Sequence, residues 1–526
     1  METALLNLQQ ANLESLRYFW PETILTLGVL VLFVADLLVK RSESRGMILA
    51  GITFAVLAGA AAATWFLGDV PARPLFSGLI VHDSLGIFFK WIFLAATAMA
   101  VWMAVPSKEI ALARQGEYFA LLVAMCLGLN LMSTSVDLLM VYLSLEMVSL
   151  ISYILAGYRR ADRRAAEASL KYVIYGGVAS GVMLFGMSYI YGLLGTTDLN
   201  ALANALGRLG PQMNNALPVS RLGGQLGLLV ALIFVLSGIG YKVASVPWHM
   251  WCPDVYEGAP TPFTAFLSVA PKAAGFAVAM RVFFGGMAQV GTGELDQMAR
   301  AAAGMPWPAV LGAVAAVTMT LGNLAALNQN NLKRLLAYSS IAHAGYIMMG
   351  VAVASNLGNM SVLVYLTFYL FMNVGAFLVV EMVSRSNNSE SIFEYRGLSK
   401  RAPFAAVAFA ILLFSLTGLP PLAGFIGKFY LFYAVVQKAG ASAPGDATGW
   451  WALAVIGALN SAVSLFYYAR VVKAMFLEKG RDETALEFPM SYTGLLAGLT
   501  ALVVFFGVYW APVSEAAANA IKSMAG

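Results

Sequence analysis

Apolar residues run through this sequence in long blocks, separated by short polar connections. A helix needs about 20 apolar residues to cross the hydrocarbon core of a bilayer. Fourteen blocks fit, at roughly 21–39, 46–67, 84–104, 118–134, 137–157, 165–194, 224–256, 260–285, 306–326, 333–354, 360–384, 403–437, 450–473 and 489–510. The pattern predicts an all-α polytopic membrane protein of about 14 transmembrane helices.

Two blocks are too long for one crossing. The seventh, 224–256, has 33 residues and the twelfth, 403–437, has 35. At about 1.5 Å per residue, either would overshoot a ~30 Å core as an unbroken helix. Each carries Gly and Pro inside it, in LSGIGYKVASVP (236–247) and LTGLPPLAGFIGK (416–428). Proline removes a helix hydrogen bond and clashes with the preceding turn. Helices 7 and 12 are therefore expected to be discontinuous, with the breaks buried or lining a hydrated cavity. They lie five spans apart, so they cross in opposite directions. That predicts two inverted five-helix repeats, helices 4–8 and 9–13, and paired interruptions of this kind point to a transport site. The chain divides accordingly into a three-helix segment (1–105), a first repeat (106–290), a second repeat (291–485) and a C-terminal helix (486–526).

Composition supports the membrane reading, with 60% hydrophobic and 11% charged residues and a mean hydropathy of +0.76. Soluble domains carry about 25% charged residues. The stretch 1–18 is polar and shows no cleavable signal pattern. The formal charge of +5 does not indicate nucleic acid, because the basic residues sit in short loops beside apolar blocks. Assigned to alternating sides, the loop Lys and Arg divide unequally. Seven (Arg17, Arg73, Arg208, Arg221, Arg300, Lys438, Lys522) share the side of both termini, and nineteen lie opposite, in loops such as RRADRR (159–164) and RGLSKR (396–401). By the positive-inside rule both termini face away from the cytoplasm. Trp20, Trp65, Trp307, Trp450, Trp451 and Trp510 fall at span ends, as an interfacial belt requires. The two cysteines, Cys126 and Cys252, cannot hold an iron–sulfur cluster, and the three histidines lack metal-ligand spacing. No redox cofactor or metal is expected on this chain.

Lys333, Arg334, Arg470 and Lys473, at the edges of their spans, are counted with the loops, and six basic residues remain inside spans: Lys90, Lys171, Lys242, Lys272, Arg281 and Lys428. Lys90 and Arg281 lie near span ends, where snorkelling to the headgroups is the simpler reading. The other four are harder to dismiss, since a basic residue deep in a membrane costs at least about 2.5–3.5 kcal/mol. Lys242 precedes the seventh-helix break and Lys428 follows the twelfth-helix break. Lys272 lies a third of the way into the eighth helix, and Lys171 nearer the cytoplasmic end of the sixth. Static ion pairs between helices are the bland alternative, but acids are too few. Glu146 alone is well centred, with Asp36 and Glu381 near ends. Burial disfavours the charged form of an amine, so unpaired buried lysines exchange protons readily, as a proton path requires.

Glu146 interrupts LLMVYLSLEMVSLISYIL (138–155), a segment otherwise built for lipid. It reads as the counter-charge that controls a lysine's proton affinity, or as static glue. His343, in YSSIAHAGYIMMG (338–350) beside Tyr338, Ser339 and Ser340, reads as a link between the halves or as a hydrogen-bonded core histidine. His249, in PWHMW, reads first as loop structure and second as the mouth of a relay.

Three stretches carry a resemblance: RRAAEASLKYVIYGGVASGVMLFGMSYIYGLLGTTDL (163–199), PWHMWCPDVYEGAPTPFTAFLSVAPKAAGFAVAMR (247–281) and NQNNLKRLLAYSSIAHAGYIMMG (328–350). They resemble the subunit N family of bacterial respiratory NADH–quinone oxidoreductase (complex I), one branch of the antiporter-like membrane subunits. The likeness covers nearly the whole chain from about residue 20. Fourteen spans favour subunit N over subunit L, which has an additional lateral helix. Lys428 favours it over subunit M, which has glutamate there, and the wording EASLKY and PDVYEGAPTP also looks like subunit N. The resemblance implies a proton-translocating subunit that couples to electron transfer elsewhere in the complex. It implies relay roles for Glu146, Lys171, Lys242, Lys272 and Lys428. It places NADH, FMN, iron–sulfur clusters and quinone in other subunits, and none in this chain. The implied partners are the lipid bilayer, the sister antiporter-like subunit M and small membrane subunits, with no nucleic acid. The implied location is the bacterial inner membrane, both termini periplasmic. The competing readings are a subunit of a multisubunit cation/proton antiporter and a structural membrane subunit without its own proton path. A Na⁺ site would be expected to show several convergent carboxylates or exposed carbonyls at a break, and one central glutamate speaks against it.

Overall fold

The computed structural model describes residues 2–40, 42, 44–206, 218–285, 307–387, 389–480 and 484–522. The expected repeat boundary at 290/291, and Arg41, Arg208, Arg300 and Arg481 of the charge tally, lie outside these residues. A polar helix α1 (Glu2–Leu16) precedes α2 (Trp20–Leu38), α3 (Arg45–Phe66) and α4 (Ser84–Ala104). Then come α5 (Gln115–Thr134), α6 (Leu138–Ala156), α7 (Arg163–Leu194), α8 (Pro218–Val243), α9 (Trp251–Gly258) and α10 (Thr261–Ala279). The second half holds α11 (Trp307–Leu327), α12 (Leu332–Ala352), α13 (Asn356–Asn387), α14 (Pro403–Thr417), α15 (Ala423–Ala441) and α16 (Pro444–Leu477). It closes with α17 (Met490–Val508) and α18 (Ala511–Lys522). Among the described residues 13 helices are long and apolar enough to cross a membrane. They correspond to every expected span but the twelfth, which is the pair α14–α15.

Both expected breaks are present. The seventh span stops at Val243, where Ala244 turns into the left-handed region at φ 60°, and resumes as α9. Ser245 N–H donates to the Gly240 carbonyl at 2.8 Å and closes the turn. The twelfth stops at Gly418, at φ 92°, whose N–H returns to Phe414 and Ser415. Glycine adopts this conformation without a Cβ penalty and ends many helices. Pro420 and Pro421 prevent the helix from continuing, and α15 starts at Ala423.

The interior is built from three helices. Of their most apolar stretches, α10 is 100% buried, α12 94% and α13 89%, whereas α2, α7, α16 and α17 expose broad apolar faces. α10 packs on both α12 and α13, which brings the first half of the chain against the second. A helix buried all round is the place where polar groups can meet away from lipid.

Two small elements went unread in the sequence. α1 docks on a hairpin, Arg73–Leu75 paired with Ile80–His82, through Phe76 N–H donating to Ser15 Oγ at 3.0 Å. Arg73 also stacks over Tyr18 at 4.1 Å. The tryptophan belt is only partial. Trp20, Trp65 and Trp451 are exposed, but Trp307 is buried and stacks on Phe283.

Candidate functional site

Lys242, Lys272, His343 and Lys428 are all at least 96% buried. Each half-helix break has one buried lysine beside it. Lys242 lies in the last turn of α8, and Lys428 Nζ reaches back to the Thr417 carbonyl at the end of α14, at 2.8 Å. Helix C-termini carry unpaired carbonyls and partial negative charge, so a cation is favoured there without a carboxylate.

Each ammonium also donates to a hydroxyl. Lys242 Nζ donates to Ser149 Oγ at 2.9 Å. Lys272 Nζ donates to the Ser340 carbonyl at 2.9 Å and to Ser340 Oγ at 2.5 Å. Lys428 Nζ donates to Ser461 Oγ at 2.8 Å and lies over the Tyr346 ring at 4.5 Å. None of the three has a carboxylate within 4.0 Å among the described residues, so the shortage of acids inferred from the sequence is real in space.

Between Lys272 and Lys428 the interior is aromatic and polar. Tyr369 OH donates to Ser340 Oγ at 2.8 Å. His343 Nδ1 meets Tyr365 OH at 2.5 Å, and Nε2 meets Tyr468 OH at 3.3 Å. Tyr468 in turn bonds Ser339 Oγ. The His343 ring centroid lies 5.2 Å from that of Tyr369 and 5.9 Å from that of Tyr346. The axis is thus a set of short hydrogen-bonded segments, Lys272–Ser340–Tyr369, Tyr365–His343–Tyr468–Ser339 and Lys428–Ser461, joined by ring contacts. Asn323, Tyr467 and Asn460 form a further segment through bonds of 3.0–3.2 Å, and Asn323 also donates to Tyr346 OH at 3.2 Å. On the other side the Lys242 stem faces Gly275, one turn from Lys272 on α10. The tyrosines went unread because each alone looks like ordinary core; only their convergence on His343 marks them.

Glu146 is half-buried on α6, one turn before Ser149. Its Oε1 is buried without a hydrogen-bond partner among the described residues. A single serine separates this carboxylate's helix turn from the Lys242 ammonium. Lys171 sits elsewhere, at a rim, 38% exposed and paired to Asp254 at 2.6 Å and Glu167 at 2.7 Å. Asp254 also takes Arg334 at 2.7 Å, and Arg334 takes Glu257 at 2.9 Å. Lys333, fully buried, donates to the Ala259 carbonyl at 2.8 Å and to Glu390 at 3.3 Å. This charged lattice ties α7 and α9 to α12. Burial works to raise the Glu390 carboxyl, but Lys333 and Asn331 outweigh it and hold it below the usual range. His249 is buried in the α8–α9 turn.

Lys90 and Arg281 do not snorkel. Lys90 pairs with Glu22 at 2.8 Å, with side chains 5% and 2% exposed. Arg281 forks onto both oxygens of Asp83, at 2.8 and 2.9 Å, and donates to the Ser133 carbonyl. Glu22 opens α2 and Asp83 caps α4, so both acids stand at helix starts and not at span centres.

The paired broken helices, each with a buried lysine at its interruption, define an antiporter-like membrane subunit. Residues 135–443 match the family described as NADH:quinone oxidoreductase/Mrp antiporter, transmembrane. The chain is 55% identical over 510 residues, 97% of both chains, to NADH-quinone oxidoreductase subunit N of Anaeromyxobacter sp.. It is 44% identical to subunit N 2 of Sorangium cellulosum, covering 98% of each. A chain of respiratory complex I from Thermus thermophilus, solved with bound aureothin, superposes with a TM-score of 0.73 at 28% identity. That match covers 94% of this chain and 98% of that one. The chain belongs to the subunit N family of NADH–quinone oxidoreductase.

Proposed function

We propose that this chain translocates protons along the axis Lys242–Lys272–His343–Lys428, driven by electron transfer from NADH to quinone in other subunits. The observation that carries the proposal is the set of three buried ammoniums held by hydroxyls and carbonyls, with no carboxylate within 4.0 Å among the described residues. Each can release its proton without leaving an orphaned partner charge. The gaps between the hydrogen-bonded segments are spanned by water, which bridges polar groups almost as well as a direct bond. Lys171, pinned between two acids at the rim, acts as the mouth of the path. The cofactors NADH, FMN, iron–sulfur clusters and quinone belong to other subunits. The chain sits in the bacterial inner membrane with both termini periplasmic. It packs against subunit M and small membrane subunits, and divides near 105, 290 and 485.

Glu146 controls the Lys242 end of the axis. Moved toward the ammonium it holds the proton; moved away, it releases the proton toward Lys272. Glu146→Gln is expected to leave the complex assembled and to lower protons translocated per NADH oxidised, measured in proteoliposomes. Wild-type stoichiometry in an intact Gln variant would sink the gating role.

At Lys428 the replacement chemistry is informative. Its ammonium donates to a carbonyl and a hydroxyl. A protonated glutamate can still donate one bond and can still titrate; alanine can do neither. Lys428→Glu should therefore pump better than Lys428→Ala and worse than wild type. Equal loss in the two variants would show that the positive charge, not titration, is what matters there.

A further inference from the structure

A large charged vestibule opens on the side of the RRADRR loop. Its volume is about 1110 Å³, and Lys108, Arg159, Arg164, Arg385, Glu257 and Glu390 are among its lining residues. Glu381 also lines it, although the residue is only 1% exposed. Its Oε1 accepts from Ser107 Oγ at 2.6 Å and from Tyr492 OH at 3.2 Å. Its Oε2 is buried with no hydrogen-bond partner, and no cation lies within 4.0 Å of the carboxyl among the described residues. The nearby cations are engaged elsewhere. Lys333 is held by Glu390 and two carbonyls, and the Arg385 guanidinium by the Pro106 carbonyl. A structural carboxylate would be paired, because a buried, unpaired one is costly.

The position of Glu381 on α13 supplies the second observation. Tyr365, Tyr369, Asn373, Phe377 and Glu381 follow one another at intervals of four residues, so neighbours in the series lie on one strip of the helix. Tyr365 and Tyr369 already belong to the axis. Asn373 Nδ2 donates to Ser268 Oγ at 2.6 Å, one turn from Lys272 on α10, and its Oδ1 is buried without a partner among the described residues. Phe377 is the single apolar rung between Asn373 and Glu381. Those two residues are separated by roughly 12 Å of helix rise.

We propose that Glu381 is the proton-loading carboxyl of a route from the vestibule into the axis, gated by Phe377. The route rests on the proton-relay reading above. Glu381 takes one proton from vestibule water. It passes that proton through water admitted beside Phe377 to Asn373 and the Lys272 segment, and is then reloaded. The groups facing the carboxyl are Glu109 from the α4–α5 loop, Lys333 from α12, Tyr118 from α5, Tyr395 from the turn before α14 and Tyr492 from α17. A second carboxylate, Glu109, and a lysine that is already paired leave Glu381 free to exchange.

The test uses the intact complex in liposomes, with protons translocated per NADH oxidised measured against pH on the vestibule side. Glu381→Gln is expected to keep NADH oxidation and lose proton translocation, most steeply at alkaline pH, where loading is hardest. Glu381→Asp keeps a carboxyl and should restore most of the loss. Lys272→Ala, run in parallel, separates the two readings. Pumping lost in Lys272→Ala but intact in Glu381→Gln overturns the vestibule route and leaves the axis standing; pumping intact in both overturns both. If Glu381→Gln does not assemble, Glu381→Asp decides alone. A pH profile displaced from wild type supports loading at this carboxyl, and a superimposable profile overturns it.

Discussion

Lys272→Arg should give a complex that assembles, oxidises NADH and moves far fewer protons. The Lys272 ammonium is held by the Ser340 carbonyl and hydroxyl, both acceptors that a guanidinium can also use. If the residue were only a fixed charge binding α10 to α12, arginine would supply that charge. A relay needs a group that loses its proton, and arginine effectively cannot do so inside a protein. Lysine can, because burial works against its charged form. The same reasoning applies at Lys242, whose ammonium has only Ser149 as a hydrogen-bonding partner among the described residues, and to its variant Lys242→Arg. Arginine is bulkier, so assembly is checked first on a native gel and by electron transfer to an artificial acceptor. Lys272→Met, apolar and of similar length, then provides the comparison if arginine does not fit. Wild-type pumping in an assembled Arg or Met variant would show that the proton path lies elsewhere.

Asp83→Ala should be the most damaging substitution for stability. It leaves the buried Arg281 guanidinium, 5% exposed, without its carboxylate. Breaking one side of a buried pair costs about 3–5 kcal/mol, because the remaining charge stays desolvated. Asp83 also caps α4 by accepting from Gly86 N–H at 2.8 Å, which adds about 0.5–2 kcal/mol. The expected result is little assembled protein and a lowered melting temperature in detergent. The double variant Asp83→Ala with Arg281→Met should recover most of the pair's share. Replacing both members of a buried pair by apolar groups is often nearly neutral. An Asp83→Ala protein as stable as wild type would mean that Arg281 finds water or another acceptor, and that the pair is not structural.

The breaks were legible because their signals are local. A span of 33 or 35 residues with Gly and Pro inside it has few ways to cross a bilayer. The helices stop at Val243 and at Thr417, beside Lys242 and Lys428, where that chemistry places them. The shortage of acids was legible for the same reason, since counting charges within spans requires no contacts. Lys90 and Arg281 were misread as snorkelling because distance from a span end is a one-dimensional measure. Their partners stand 68 and 198 positions away, at helix starts. Lys171 read as lying nearer one end of the sixth helix, yet nothing local announced that Asp254, 83 positions on, would hold it.

The sequence by itself determined the number of crossings, the two interruptions and the surplus of buried lysines over central carboxylates. These follow from hydropathy, proline chemistry and charge counting, all of which act over a few residues. Only the tertiary structure decided what each buried charge touches. It gave Lys272 a serine and not an acid, and gathered Tyr365, Tyr369 and Tyr468 around His343. It also left Glu381, beside a charged vestibule, without a cation within 4.0 Å among the described residues. The physical reason is that lipid requires only that each helix be apolar on average. The rare polar group inside is specified by its pairwise complement, and that complement is supplied by helices distant in sequence and adjacent in space.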